Sequence, residues 1–191
     1  MTRRILATFF GVTLMVTALG AEPGRSGPSS ADRPPAALLA AVAELHPDMR
    51  VVEKSDLNAQ DCVEFRGAHP GWIAGDFLGD GQLEYAALLI TEAPTKKIAF
   101  EGRTYLVHSA RVVVLAGPVN KRFEETTLYE FDEALPTIRG LALQEPKKIF
   151  DPSAQRDIWL AHPAVTFFSC GQFSVVYFWD GKRFDRAQTS N

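Results

Sequence analysis

The stretch that most constrains this chain runs from residue 71 to residue 91, where two apolar segments flank a short acidic loop. Residues 72–77 and 85–90 carry the bulky and apolar side chains that favour β-strands. Between them, Gly79 and Gly81 allow the positive φ angles that a sharp chain reversal requires. The pattern predicts a β-hairpin against which the rest of the chain packs.

Residues 75–86, Gly-Asp-Phe-Leu-Gly-Asp-Gly-Gln-Leu-Glu-Tyr-Ala, resemble one copy of the GDFNGDGKxDYA motif of FG-GAP and VCBS repeat proteins. In that family the acidic loop between two strands holds a calcium ion. The resemblance implies that Asp76, Asp80 and Glu84 supply carboxylate oxygens to calcium. It also implies that Gln82 supplies a backbone carbonyl oxygen, the kind of hard ligand that calcium prefers.

The loop departs from the family pattern at two positions. Leu78 stands where Asn or Asp is usual, and Glu84 replaces Asp at the last acidic position. The family repeats its motif around a propeller, whereas this sequence contains no second copy. The alternative interpretation is that Asp76 and Asp80 accept hydrogen bonds from amides of the turn, without a metal.

Residues 1–20 have the pattern of a secretory signal. Arg3 and Arg4 precede an apolar run from residue 5 to residue 19, and small residues precede Ala21. The run is short for a transmembrane span, with an uncleaved anchor as the alternative. The pattern predicts a periplasmic or secreted protein that has no transmembrane anchor once the signal is cleaved.

The remaining chain divides by composition. Residues 21–34 are rich in Gly, Pro, Ser and Ala and predict a disordered leader, and residues 35–191 predict a single mainly-β domain. The whole sequence has 20 basic and 23 acidic residues. Loss of the two arginines of the signal changes the net charge from −3 to about −5. This mild acidity argues against nucleic acid as a partner.

Two cysteines in an exported chain predict a disulfide between Cys62 and Cys170. The alternative is a metal site in which His69 and His162 join the two cysteines as ligands of zinc. Structural zinc sites have tighter ligand spacing than this set, and an oxidising compartment favours the disulfide.

One helix and a series of strands are predicted in the rest of the chain. Residues 35–45 are strong helix formers, with Leu38, Val42 and Leu45 on one face. The interval 132–152 contains three prolines and predicts the longest surface loop. Further strands are predicted at residues 49–53, 61–65, 105–116, 123–131, 157–160, 164–168 and 173–179, with a hairpin around residues 101–102.

Residues 177–184, Tyr-Phe-Trp-Asp-Gly-Lys-Arg-Phe, resemble the YYWDGKxF ending of small exported bacterial domains of unknown function that also carry one FG-GAP-like loop. The Asp-Gly pair at residues 180–181 is typical of a tight hairpin turn. The resemblance implies a closing β-hairpin, and no activity is implied by it.

Few residues stand in patterns typical of catalysis. His46, His69 and His162 each precede proline and are interpreted as residues of turns or element ends. Ser109 lacks the flanking glycines of a nucleophile elbow. Cys170 has no basic residue nearby in sequence, so a disulfide explains it better than a catalytic thiolate does.

Neighbouring carboxylates occur at Glu124 and Glu125 and at Asp132 and Glu133. Because adjacent strand residues point to opposite faces, these pairs are interpreted as solvated surface. The aromatic residues could line a groove for carbohydrate or peptide, but core and cross-strand packing is the preferred interpretation. They are Trp72, Trp159, Phe167, Phe168, Phe173, Tyr177, Phe178, Trp179 and Phe184.

The sequence therefore predicts an α+β, mainly-β fold: a twisted antiparallel sheet of about seven to nine strands with one N-terminal helix docked on it. A β-sandwich or a partial-propeller-like arrangement is the alternative. The first functional hypothesis is a non-enzymatic binding or interaction domain with an unknown protein or small-molecule partner. The others are a calcium-stabilised FG-GAP-like domain and a hydrolase whose residues are far apart in sequence.

Overall fold

The computed structural model describes residues 33–58, 62, 70–119 and 122–189, without the side chains of residues 118 and 119. The predicted signal segment, most of the leader and the predicted strand at 61–65 lie outside these residues, apart from Cys62. The described elements are α1 (Ala36–Leu45), β1 (Met49–Val51), a single-turn 3-10 helix (Lys54–Asp56), β2 (Trp72–Gly75), β3 (Glu84–Thr91), β4 (Lys96–Phe100), β5 (Arg103–Val119), β6 (Arg122–Ala134), β7 (Arg139–Gln144), β8 (Lys148–Asp151), β9 (Arg156–Trp159), β10 (Ala164–Ser169), β11 (Phe173–Trp179) and β12 (Phe184–Thr189).

Strand β3 lies inside a six-stranded antiparallel sheet. β1 and β2 pair with one edge of β3, and β5 pairs with the other. β4 pairs with β5 beyond the end of β3, and β6 pairs with the opposite edge of β5. The predicted central hairpin is confirmed as β2–β3, with its strands joined through the acidic loop.

Helix α1 covers one face of this first sheet. Leu38, Ala41 and Val42 are buried against side chains of β3 and β5, because positions i, i+3 and i+4 share one side of a helix. The predicted buried face is confirmed for Leu38 and Val42, whereas Leu45 is 36% exposed. Neither α1 nor any other described helical segment has the length and apolar character of a membrane span.

Strands β7, β10, β11 and β12 form a second, four-stranded antiparallel sheet. Phe167 and Val165 of this sheet share one buried core with Leu88 and Val112 of the first sheet. The mainly-β fold is confirmed, with one α-helix among the described residues. The strands divide among sheets of six, four and two, and the two larger sheets pack face to face, as in the predicted sandwich alternative.

The hairpin β8–β9 covers the outer face of the second sheet. Ile149 and Ile158 of the hairpin pack with Ala164, Val176 and Ala187. Along β10, Ala164 faces this outer layer while Val165 faces the sandwich core, as strand alternation requires. The described layers are therefore α1, the first sheet, the second sheet and the β8–β9 hairpin.

The prediction that residues 132–152 form a surface loop is wrong. The interval contains β7 and β8, and every residue of β7 pairs with β10. Leu141 of β7 is 1% exposed. Pro136 and Pro146 flank β7 and leave only a short alternating run, so its strand character comes from pairing with a distant segment and not from local pattern.

A β-bulge interrupts β6 at Leu128. Thr127 and Tyr129 pair with consecutive residues of β5, so Leu128 is an extra residue. An extra residue reverses the alternation of the strand. Phe131, on one side of the bulge, therefore packs into the sandwich core, while Phe123, on the other side, packs in the layer beneath α1.

The predicted disulfide is confirmed. Cys62 and Cys170 are bonded, with their Cα atoms 5.5 Å apart, and they pack with Phe168 on the outer face of the second sheet. Because both sulfurs are committed to this bond, the zinc alternative is wrong. His69, one of its four predicted ligands, lies outside the described residues.

Candidate functional site

The predicted calcium loop connects β2 to β3 and brings its three acidic side chains together. One carboxylate oxygen from each of Asp76, Asp80 and Glu84 lies within 4.8 Å of the other two. Asp76 is half-buried, Asp80 is exposed and Glu84 is 1% exposed. The site is therefore open to solvent on the Asp80 side and closed on the Glu84 side.

The two aspartates also brace the loop. The two carboxylate oxygens of Asp76 accept hydrogen bonds from the amides of Asp80 and Gly81, each at 3.0 Å. Asp80 in turn accepts a bond from the amide of Gln82 at 2.9 Å and from its side-chain nitrogen at 3.3 Å. These bonds are those of the alternative interpretation, in which the aspartates satisfy turn amides.

Glu84, the first residue of β3, reaches back across the loop. Its Oε2 accepts hydrogen bonds from the amides of Phe77 at 2.7 Å and Leu78 at 3.2 Å. Burial raises the pKa of Glu84, the two amides oppose that rise, and the charges of Asp80 and Asp76 add to it. A cation at this point would favour the ionised form of Glu84.

The tip of the loop is packed against a residue that is distant in sequence. Gly79 has φ +72°, and a Cβ built on it would lie 2.2–2.5 Å from ring atoms of His162. A side chain at position 79 is therefore excluded twice, by backbone conformation and by the imidazole. His162 lies in the connection between β9 and β10, so this connection and the loop are in contact through the pair.

The carboxylates of Asp76, Asp80 and Glu84 are the type of ligand that calcium prefers. Three carboxylates provide hard, anionic oxygens, and calcium takes six to eight oxygens, which include carbonyls and water. A carboxylate oxygen that accepts one N–H bond retains a lone pair for a metal. Leu78 contributes no side-chain oxygen, and the role of the Gln82 carbonyl stays a prediction.

Two histidines, His46 and His108, are engaged in structural contacts. The amide of His46 donates to the Val42 carbonyl at 2.7 Å, which ends α1. The His46 ring lies against the carboxylate of Glu125. Ring Nδ1 of His108 lies 2.7 Å from the carbonyl oxygen of Thr91, the last residue of β3. Both imidazoles thus fix the ends of secondary-structure elements.

The prediction of solvated surface is wrong for Glu133. This residue is 8% exposed, and its Oε2 lies 2.7 Å from a guanidinium nitrogen of Arg139. Burial raises the pKa of Glu133, while Arg139 and the Thr137 hydroxyl lower it. His108 lies opposite Glu133 in the β5–β6 ladder. Because His108 is bonded to a carbonyl and Glu133 to an arginine, the pair favours a structural role over a hydrolytic one.

Most of the aromatic residues pack in the core, as predicted. Phe167 is 1% exposed and contacts the rings of Phe131 and Phe173. Trp159 is different, because it is 71% exposed on the outward face of β9, with the half-exposed Phe150 on β8 beside it. The prediction of core packing is therefore wrong for Trp159.

A cleft opens where the two sheets meet at β6, β11 and β12, and it includes Tyr177 and Phe184 of the aromatic set for which a groove was the alternative interpretation. Its volume is about 370 Å³. The bulge residue Leu128 and the ring of Phe184 line its apolar part, and both pack partly into the sandwich core. We call it the inter-sheet cleft; its lining residues are Thr126, Thr127, Leu128, Tyr177, Arg183, Phe184, Asp185 and Arg186.

The signal for this cleft in the sequence is weak. Arg183 and Phe184 belong to the hairpin ending that resembles other exported domains, but Thr126 and Leu128 come from a strand more than fifty residues earlier. Only the packing of the two sheets brings these groups together.

No family model, no characterised protein and no solved structure matches this chain.

Proposed function

We propose that this chain is an exported, non-enzymatic binding domain. The signal-like pattern of residues 1–20 supports export, and the Cys62–Cys170 disulfide is typical of an oxidising environment. The groups that most resemble catalytic residues are used structurally: Cys170 in the disulfide, and His108 at the end of β3. The proposal places the protein in the periplasm or outside the cell.

The observation that carries this proposal is the inter-sheet cleft. A concave site that combines apolar side chains, here Leu128 and Phe184, with polar groups at its rim is a common form of small-molecule site. Arg186 at this rim makes no ion pair with a described carboxylate, and the Thr126 hydroxyl has no hydrogen-bond partner among the described residues. Groups of this kind are free to bind a ligand.

A filling substitution tests the proposal. Thr126→Trp places a large ring at the cleft, and Thr104→Trp, on the exposed β4–β5 hairpin, is the matched control. We expect small-molecule binding, measured by calorimetry, to be lost in Thr126→Trp and kept in Thr104→Trp. We also expect no turnover of ester, glycoside or peptide substrates. Turnover that disappears on substitution of one polar residue would contradict the proposal.

A second candidate function, a calcium-stabilised fold, is favoured by the convergence of Asp76, Asp80 and Glu84. Their ligand oxygens within 4.8 Å of one another could share one cation. Binding to the folded chain alone would raise its stability in proportion to the logarithm of ion concentration. In this role the ion would hold the loop between β2 and β3 and leave the inter-sheet cleft free for a ligand.

Calcium titration followed by calorimetry and thermal unfolding tests this second function. We expect heat of binding and a rise in Tm at millimolar calcium, both lost in Asp80→Asn. Asp180→Asn is the matched control, since Asp180 also accepts turn amides but belongs to no described acidic cluster. Neither heat nor a change in Tm with the unsubstituted chain would rule this function out.

A further inference from the structure

The inter-sheet cleft lies beside the β-bulge of β6, an edge strand of the first sheet. The bulge at Leu128 reverses the alternation of β6, so that Tyr129 and Thr126 both face the second sheet although they are three positions apart. Bulges occur often at sheet edges beside binding sites, where they redirect side chains. Here the bulge places Thr126 on the face of β6 that lines the cleft with Arg186 of β12 and with Arg183 of the preceding turn.

The cationic side of the cleft is formed by β12 and the turn before it. Arg186 lies directly opposite Tyr177 in the β11–β12 ladder, and its charge partly offsets the rise that burial causes in the pKa of the Tyr177 hydroxyl. Tyr177 is 5% exposed, and burial raises the pKa of its hydroxyl. The phenol is therefore neutral and does not cancel the charge of the Arg186 guanidinium.

The acidic residues near the cleft do not neutralise the positive charge of Arg186. The Asp185 carboxylate also lines the cleft, but its nearest cation is Arg156, at 3.7 Å. Arg183 has only a loose contact with Asp180, at 3.9 Å, and its side chain is 79% exposed. A guanidinium has five N–H donors in a planar fork that matches an oxyanion. Arg186 thus has donors available for a ligand.

The apolar side of the cleft limits what else the ligand contains. Leu128 and Phe184 form this side, and the Phe184 ring is held edge-on by Trp179, with ring centroids 5.4 Å apart. A volume of about 370 Å³ suits a small molecule and not a folded partner. An inorganic ion would leave the Leu128–Phe184 side uncovered, whereas a ring or short alkyl group would cover it.

We propose that the inter-sheet cleft binds a small molecule that carries an oxyanion, a carboxylate or a phosphate monoester, attached to an apolar or aromatic group. Arg186, which lies opposite Tyr177 in the β11–β12 ladder, binds the oxyanion with help from Arg183 and Thr126. The apolar group packs on Leu128 and Phe184. This assignment rests on the proposed binding function and adds the ligand class to it.

Calorimetric titration with matched probes tests the ligand class. Benzoate and phenyl phosphate carry the two oxyanions, benzamide is the neutral counterpart of benzoate, and inorganic phosphate lacks the ring. We expect saturable binding of benzoate or phenyl phosphate, at least about tenfold tighter than benzamide and inorganic phosphate, as loss of a charge-assisted bond implies. Whichever of the two anions binds more tightly identifies the source of the oxyanion.

Substitution of Arg186 shows whether the anion binds at the inter-sheet cleft. Arg186→Gln should weaken the tighter anion by about tenfold or more, while Arg103→Gln, an exposed arginine of the β4–β5 hairpin, should leave it unchanged. Arg186→Lys keeps the charge and should recover part of the affinity. An Arg186→Gln variant that does not melt cooperatively is replaced by Thr126→Trp, which should abolish binding of the same anion.

The possible results separate this assignment from the proposed function. Benzamide binding as tightly as benzoate, with both lost in Thr126→Trp, would overturn the oxyanion class but leave a binding site in the cleft. Anion binding that is equal in Arg186→Gln and in the unsubstituted chain would also overturn it. If none of the four probes binds saturably, the assignment of the oxyanion class is overturned. The wider binding function is then decided separately, by comparing Thr126→Trp with the unsubstituted chain on a broader set of small molecules.

Discussion

At the scale of single residues, Glu84 connects the sequence pattern with the fold. The resemblance to FG-GAP loops implies a metal ligand at this position, and the structure shows a buried carboxylate that accepts two loop amides. The side chain of Glu84 is longer than the family's usual Asp, and it bridges from the start of β3 back to Phe77. Structural bracing and cation binding are thus compatible at one residue.

Two substitutions at Glu84 separate its hydrogen bonds from its charge. Glu84→Ala leaves the amides of Phe77 and Leu78 without an acceptor, so we expect the free energy of unfolding to fall by about 1–3 kcal/mol. Glu84→Gln keeps an acceptor oxygen and should cost much less. Urea unfolding in the presence of a chelator measures both. Equal losses for the two variants would contradict the assigned bonds.

The raised pKa of Glu84 predicts a pH dependence of stability. The model-compound pKa is 4.5, and a higher value in the folded state means that the folded chain binds more protons than the unfolded chain above that pH. The contribution of Glu84 to stability is therefore present below pH 4.5 and is lost as pH rises through the folded pKa. Glu133 contributes with the same sign.

Glu84→Gln should flatten this pH dependence without abolishing it, because Glu133 still titrates. Unfolding free energies measured across pH 4–8 in chelator, for both chains, provide the comparison. If the slopes of the two chains were the same, Glu84 would have the same pKa in both states.

Gly79 and His162 form a second residue-level pair. Gly79→Ala places a Cβ against the imidazole and in a left-handed conformation, so we expect a loss of about 1–3 kcal/mol. His162→Ala removes the collision but not the backbone strain, so the same Gly79→Ala change should cost less in that background. Thermal unfolding of the four chains gives the coupling. Additive effects would contradict the contact.

At the scale of elements, local patterns predicted the strands that are long or carry a turn signal. The β2–β3 and β11–β12 hairpins were recognisable because glycine-containing turns lie between apolar runs. β7 was missed, because two prolines bound a run of six residues and its partner β10 is distant in sequence. The bulge in β6 was missed as well, since one extra residue leaves hydrophobicity almost unchanged while it reverses the facing of Phe123 relative to Phe131.

The finding that residues 139–144 form an internal strand, β7, and not a surface loop can be tested directly. Leu141 is 1% exposed and Leu143 is 40% exposed on the same strand. We expect Leu141→Ala to lower the free energy of unfolding by about 2–5 kcal/mol, as for a buried leucine, and Leu143→Ala to cost clearly less. Chemical denaturation measures both. Small and equal effects would fit a surface loop and would contradict an internal strand.

At the scale of the whole molecule, the sequence predicted the fold class, the helix and the disulfide, and it gave the sandwich layering only as an alternative. Two cysteines in an export-type chain allow only one intramolecular pair. The division of strands into two packed sheets depends on which runs pair, and that depends on contacts between distant segments. The inter-sheet cleft arises from this packing, so the aromatic pattern that includes Tyr177 and Phe184 could not link these residues to Thr126 and Leu128 of a distant strand.

The disulfide stabilises this layered arrangement. It joins residues separated by 108 positions, and in the chain-entropy model closure of such a loop contributes about 4–5 kcal/mol. We expect the Cys62→Ala/Cys170→Ala double variant to lose several kcal/mol of unfolding free energy. The reduced unsubstituted chain should lose a similar amount, and reductant should have no effect on the double variant. Sensitivity of the double variant to reductant would contradict this account.

The central claim, part of the proposed function, is that the chain binds a ligand between its two sheets and does not transform it. Backbone amide NMR of the full chain, titrated with benzoate and phenyl phosphate, tests this most directly. The account predicts saturable shifts confined to the inter-sheet cleft, at Leu128, Tyr177 and Arg186, with both probes unchanged after prolonged incubation. Shifts that lie elsewhere in the fold, or conversion of phenyl phosphate to phenol, would contradict it.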